Sequence, residues 1–218
     1  VGIIGGAPKC CKTWLGLDMA MSVASGTHAL DLLPVDAPGP VLIYLAEDAL
    51  PTVRNRIDAL CHHRGLDIGR LEILVISEPG LRLVLHQYHD RLQSTIERIR
   101  PRLLLLDPLV RIHALDENSA SEISWLLGYF RRLQRSYRLA IALVHHASKT
   151  HRAQPGQARR GSSDLHAWGD TNAYLSRRDQ HLILSIEHRA ASSPLPLTLE
   201  LVSSKKGNDT HLAAVESD

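Results

Sequence analysis

The chain is poor in aromatic side chains: tryptophan, tyrosine and phenylalanine together make up 4% of its 218 residues, with one phenylalanine. So small a supply argues against a surface that binds nucleic acid chiefly by stacking bases on rings. Cysteine is scarce too. Its three thiols are Cys10, Cys11 and Cys61, and an odd count with two adjacent is no disulfide framework and fits a reducing, cytoplasmic compartment. No apolar run approaches the ~20 residues of a membrane-spanning helix. The first residues have no charged segment followed by an apolar core, so neither membrane insertion nor a secretory signal is expected. An excess of one charge is also missing. A formal net charge of +2 is too mild to imply a polyanionic partner, so the distribution of charge matters more. There is no internal repeat and no low-complexity tract. At 44% hydrophobic, the chain can form one substantial α/β core and is too short for two ordinary domains.

Within those bounds, strand-like and helix-like segments alternate. The spacing predicts a helix over 12–25, with Leu17, Ala20, Met21 and Ala24 on one face and Gly26 as its stop. The apolar run Val41–Leu45 reads as a buried strand. A helix over 51–64 turns Val53, Ile57 and Leu60 inward, and a strand over 71–76 follows. A further helix, 86–100, carries Leu92, Ile96 and Ile99 and ends at Pro101. The run Leu103–Asp107 is too short for a helix and too apolar for an edge strand, so it belongs at the centre of a parallel sheet. A helix from about 120 has Ser119 and Glu122 placed as a capping box and Ile123, Leu126, Leu127, Phe130 and Leu133 facing in, and a strand over 139–144 follows it. After Asp170 the style changes to shorter, alternating strands, Thr171–Arg178, His181–His188 and 195–201, joined by tight turns. The expected architecture is α/β: a mostly parallel sheet flanked by helices, with a C-terminal antiparallel extension.

The first strand, with Val1, Ile3 and Ile4, runs into Gly6-Ala7-Pro8-Lys9-Cys10-Cys11-Lys12-Thr13 and then into a helix. Strand, loop and helix in that order are the context for the phosphate-binding pattern G-x-x-x-x-G-K-[ST]. Its backbone N–H groups and helix N-terminus cradle phosphates, its lysine reaches the β- and γ-phosphates, and its hydroxyl holds Mg²⁺. Cys11 stands where that pattern has its second glycine. A left-handed conformation there costs a non-glycine residue about 1–2 kcal/mol. The chain begins a step or two before this loop, where a full first strand is expected, so a cut N-terminus is expected as well.

Acidic residues fall at the ends of two strands. Asp107 closes Leu103–Asp107, where a second acidic residue can order Mg²⁺ through its water shell. Glu47, with Asp48 beside it, follows Val41–Leu45 and could polarise an attacking water. Either alone is as readily a turn residue; in order behind the loop, they converge on one crevice. His145 and His146 end the 139–144 strand. Adjacent strand residues face opposite ways, so the pair is not expected to ligate one metal. The loop 148–160 carries Lys149, Arg152, Arg159 and Arg160 without an acidic residue, and is either a solvated surface loop or a track for a phosphate backbone.

The phosphate loop with its Leu/Ala-rich helix, Tyr44-Leu-Ala-Glu-Asp48, Leu106-Asp-Pro-Leu109, Val144-His-His-Ala-Ser-Lys149 and Arg160-Gly-Ser-Ser163 occur in one order over nearly the whole chain. Together they resemble the RecA-like ATPases of the plasmid RepA hexameric replicative helicase type. The resemblance implies a single RecA-like ATPase domain over 1–218 that uses ATP and Mg²⁺. It implies that Lys12 and Thr13 bind phosphate and metal, that Glu47 is the catalytic carboxylate, that Asp107 is the second acidic residue and that His146 senses the γ-phosphate. Loop 148–160 would line a channel for single-stranded DNA in a homo-oligomeric ring, expected to be a hexamer.

Such rings complete each site with an arginine from a neighbour. Asp170 stands where the RepA type has one, while Arg189 fits the position that related replicative helicases use, with Arg177 and Arg178 as weaker candidates. The alternative to a DNA motor is a degenerate nucleotide-binding or assembly module whose hydrolysis Cys11 impairs. A third reading is a decaying copy in a mobile element.

Overall fold

Apolar runs too short for helices become strands buried on both faces, and the sheet grows outward from them. A computed structural model describes residues 1–78, 80–113, 120–146, 165–204 and 209–215. Its strands are β1 (Gly2–Gly6), β2 (Val41–Leu45), β3 (Ile73–Val75), β4 (Leu103–Asp107), β5 (Ala140–His146), β6 (Thr171–Arg178), β7 (His181–His188), β8 (Leu197–Val202) and β9 (His211–Ala214). They form one sheet in the order β3-β2-β4-β5-β1-β6-β7-β8-β9. The pairings from β3 through β6 are parallel and those from β6 through β9 antiparallel. The expected class and its C-terminal extension are both present.

β4 lies between β2 and β5, and all five of its residues are buried. Its side chains alternate between two cores, as strand geometry requires. Leu103 and Leu105 join Leu17 and Met21 of α1 (Lys12–Ser25) and Val53, Ile57 and Leu60 of α2 (Leu50–Arg64). Leu104 and Leu106 join Leu92 and Ile96 of α3 (His86–Ile99) and Ile123, Leu126, Phe130 and Leu133 of α4 (Ala120–Tyr137). Helix α1 sits so close to the sheet that a Cβ at Gly16 would meet the Leu105 side chain at 3.1 Å. Gly26 ends α1 in a left-handed conformation (φ 77°), its N–H bonding the Ser22 carbonyl.

An ion pair fastens the two helices of the first layer. Arg64 at the end of α2 donates to Asp18 of α1 at 2.5 Å, with 4% and 2% of these side chains exposed. Asp18 also accepts from the Leu30 N–H, and burial raises its carboxyl above the ordinary range against the pull of Arg64.

Several bounds differ from expectation. β3 is three residues, β5 runs on through His146, and β8 starts at Leu197. β9 was not expected at all; it pairs with β8 and closes the sheet on the far side. The Ser119 cap and the loop 148–160 lie outside the described residues. Among those described, no helix is long and apolar enough to cross a membrane.

Candidate active site

Parallel strands end together, so Gly6, Leu45, Asp107 and His146 all reach the same edge of the sheet. Between them opens a cleft of about 310 Å³, lined by residues 9–14 of the phosphate loop and helix start together with Glu47, Asp48, Arg56, Asp107 and His146. Ligand crevices of open α/β sheets lie at this edge.

The loop leaves β1 at Gly6, which has φ 152° and lies against β6; a Cβ there would fall 2.3 Å from the Leu175 carbonyl oxygen. No other residue fits. Ala7 and Pro8 follow, then Lys9 with φ 63° and Cys11 with φ 57° and ψ 26°. Cys11 is therefore left-handed, the conformation the pattern reserves for glycine, and it holds that conformation at about 1–2 kcal/mol. Its carbonyl accepts the first helical bond of α1 from the Leu15 N–H at 3.1 Å. Cys10 is buried beneath the loop, and burial pushes the Cys11 thiol up.

Lys12 is 4% exposed, and its Nζ donates to the Gly6 and Ala7 carbonyls at 3.0 and 2.8 Å. Burial lowers its pKa. These two acceptors leave the third ammonium proton for an anion held at the loop. The Thr13 hydroxyl donates to Asp107 Oδ2 at 2.7 Å. Asp107 is buried, and desolvation pushes its carboxyl up to about 6 although the Thr13 bond opposes that. A buried carboxylate beside a hydroxyl has the donor set of a hard divalent cation. The site fits Mg²⁺ at Thr13 and Asp107.

Glu47 stands at the rim, 48% exposed, and accepts from Arg111 Nε at 2.9 Å. Asp48 is held by Arg56 at 2.6 Å, and the same guanidinium lies 5.7 Å from the centre of the Trp14 ring. Arg56, Trp14 and Arg111 were missed in the sequence. Arg56 reaches the cleft, and Arg111 reaches Glu47 at its rim, only by tertiary contact; Trp14, directly after Thr13, had a signal in its position.

Arg189 and Asp170 lie elsewhere. Thr171 pairs with Gly2 at the amino end of β1, and Thr171 and His188 pair across β6 and β7. Arg189 therefore sits at the sheet edge opposite the phosphate loop, where it reaches Asp170 at 3.2 Å and donates to the Ala167 carbonyl. Arg131 donates to both Asp170 oxygens, at 2.6 and 3.2 Å, and these bonds hold that carboxyl down at about 2. Arg177 is the arginine of the extension that touches the loop, donating to the Lys9 carbonyl at 3.3 Å. Lys149, Arg152, Arg159 and Arg160 lie outside the described residues.

A parallel sheet whose first strand delivers a glycine loop, a buried lysine and a hydroxyl–carboxylate pair to one crevice defines a P-loop nucleotide-binding ATPase fold. The sequence pattern of the AAA domain family matches residues 1–152, from β1 through the end of β5, and the chain belongs to that family. The extension from β6 onward lies beyond the match.

Proposed function

We propose that this chain is a single RecA-like ATPase domain of the plasmid RepA hexameric helicase type, coupling ATP hydrolysis to translocation along single-stranded DNA or to duplex unwinding in replication of a plasmid, phage or other mobile element. The observation that carries the reading is the convergence of Lys12, Thr13, Asp107, Glu47 and His146 on one cleft. Lys12 and the backbone N–H groups of 6–13 other than Pro8, which has none, would hold the phosphates, and Thr13 with Asp107 would hold Mg²⁺. When bound, Mg²⁺ supplies charge neutralisation at the β- and γ-phosphates. Glu47, oriented by Arg111, accepts the proton of the attacking water. His146, at the end of β5 and next to the loop 148–160, responds to the γ-phosphate and passes its state to Lys149, Arg152, Arg159 and Arg160, which hold the DNA backbone. Arg189 is at the edge away from its own phosphate loop, a place that suits action in a neighbouring subunit's site within a homo-oligomeric ring.

One observation favours a second reading, a degenerate nucleotide-binding or assembly module: Cys11 is left-handed at the mouth of the cleft. Calorimetry of ATP with Mg²⁺ together with turnover, each beside a Lys12→Ala control, separates the two. Micromolar binding and hydrolysis that the control abolishes support the ATPase, binding without hydrolysis supports the degenerate module, and no binding refutes the ATPase. Cys11→Gly should then raise turnover if the loop alone limits it. Stimulation by single-stranded DNA should fall steeply with salt, with a log–log slope of about −0.7 per phosphate contact; a DNA-independent rate refutes the motor.

A further inference from the structure

The unexpected strand β9 brings a second chemical group together, far from the phosphate loop. His211 of β9, Asp209 just before it and His63 near the end of α2 each offer one ligand atom, and these atoms lie within 4.8 Å of one another. Asp209 Oδ1 is 3.4 Å from His211 Nδ1 and 3.7 Å from His63 Nδ1. Both Asp209 Oδ1 and His211 Nδ1 are buried without a hydrogen-bond partner, and the His211 side chain is 9% exposed. Buried polar atoms left unpaired cost about 1–3 kcal/mol each, so two such atoms 3.4 Å apart call for a bound species.

The outer surroundings agree. His63 Nε2 is 3.0 Å from Asp31 Oδ2. In the tautomer that donates this bond, the Nδ1 lone pair faces Asp209, the carboxylate–imidazole arrangement that orients histidine ligands of metals. Arg64 lies 3.3 Å from the other Asp31 oxygen and 2.5 Å from Asp18. Two carboxylates, Asp18 and Asp31, thus share one guanidinium, while the ion-pair partners of Asp209 among the described residues are His63 and His211.

The geometry points to a divalent transition-metal site of the Zn²⁺ class, ligated by His63, Asp209 and His211 with water completing the shell. Nitrogen and oxygen ligands about 2.0–2.2 Å from a tetrahedral Zn²⁺ are about 3.3–3.5 Å from each other, and Asp209 Oδ1 already lies 3.4 and 3.7 Å from the two imidazole nitrogens. The two imidazoles now stack, 3.5 Å apart at 12°. Ligation turns them about their side-chain torsions so that the lone pairs converge, and leaves the backbone in place. The ion staples the edge strand β9 to α2, and through Asp31 to the segment after α1. Two imidazoles and one carboxylate select Zn²⁺ or a neighbouring first-row metal over Mg²⁺ or Ca²⁺.

The test is titration of the metal-free chain, without nucleotide, with Zn²⁺ by calorimetry and with Co²⁺ by visible ligand-field absorption. One equivalent of either should bind and raise the melting temperature. Binding should be lost in His211→Ala and Asp209→Asn and weakened about 10–100-fold in Asp31→Asn, the outer partner. Far-ultraviolet circular dichroism confirms that each variant is folded. Failure of folded wild-type chain to bind either metal overturns the site. So does binding retained in both ligand variants, or a thiolate-to-Co²⁺ charge-transfer band, which would place the ion on cysteine.

Discussion

Asp107 should make the nucleotide-free protein less stable, and replacing it by its amide should raise stability. Its carboxyl lies at about 6 instead of 3.8, chiefly through burial, so the folded state binds this proton more tightly than the unfolded state does. Above pH 6 the group is ionised in both states, and the folded state bears the full cost of a buried charge. As pH falls from 6 towards 3.8 the folded state takes up its proton and the cost fades. Each tenfold in proton affinity is about 1.4 kcal/mol, so the cost near pH 7.5 is about 3 kcal/mol. Asp107→Asn keeps an acceptor for the Thr13 hydroxyl and removes the charge. An amide N–H left without a partner takes back about 1–3 kcal/mol, so the net gain is about 0–2 kcal/mol. For a chain of this size that raises Tm by up to about 8 °C. The assay is thermal unfolding of both proteins in chelator, from pH 4 to 8. The variant's advantage should be largest above pH 6 and shrink, then reverse, towards pH 4 as the wild-type cost fades and the amide's does not, while Mg²⁺-dependent nucleotide binding is lost in the variant. A variant less stable than wild type at pH 7.5, or a gap indifferent to pH, would refute the reasoning.

Two further outcomes concern the ion pairs. Asp18→Ala removes the nearest acceptor of the buried Arg64 guanidinium, which keeps Asp31, Ser22 and Thr27, and leaves the Leu30 N–H without its acceptor. It should cost about 1–3 kcal/mol in urea unfolding, and no measurable loss would mean that the pair does not hold α1 to α2. Asp170, held at about 2 by Arg131, contributes stability that is complete above its ordinary 3.8 and is lost as pH falls through 2. Wild type should therefore lose stability between pH 4 and 2 faster than Asp170→Asn, and parallel pH profiles would argue against the pairing.

How far the sequence reached depends on the distance over which each signal acts. The phosphate loop is a contiguous motif, and α1 begins at Lys12 and ends before Gly26 because its stop signal is local. Leu103–Asp107 was legible as a central strand because burial on both faces leaves no polar alternation. The five inward residues of α4 repeat at helical spacing, and all five are buried. β9 escaped notice because four residues, His-Leu-Ala-Ala, carry too little pattern, and its pairing with β8 is fixed by neighbours rather than by propensity. The same holds for Arg111 on Glu47, 64 residues apart, and for His63 beside His211: no short-range rule joins them.

The join between β1 and β6 has a mechanical consequence. Gly6 is in register with Leu175, its α-carbon is seated against that carbonyl, and Arg177 two residues on grips the Lys9 carbonyl. The antiparallel extension is thus continuous with the phosphate loop, with no linker between them to absorb displacement. A load applied to β7, β8 or β9 is borne through the ladder as through a stiff plate, and it arrives at Gly6, where the missing side chain leaves no slack. Strain at the outer strands and the shape of the phosphate cradle become one variable, so that whatever grips the extension also sets the tension on the loop.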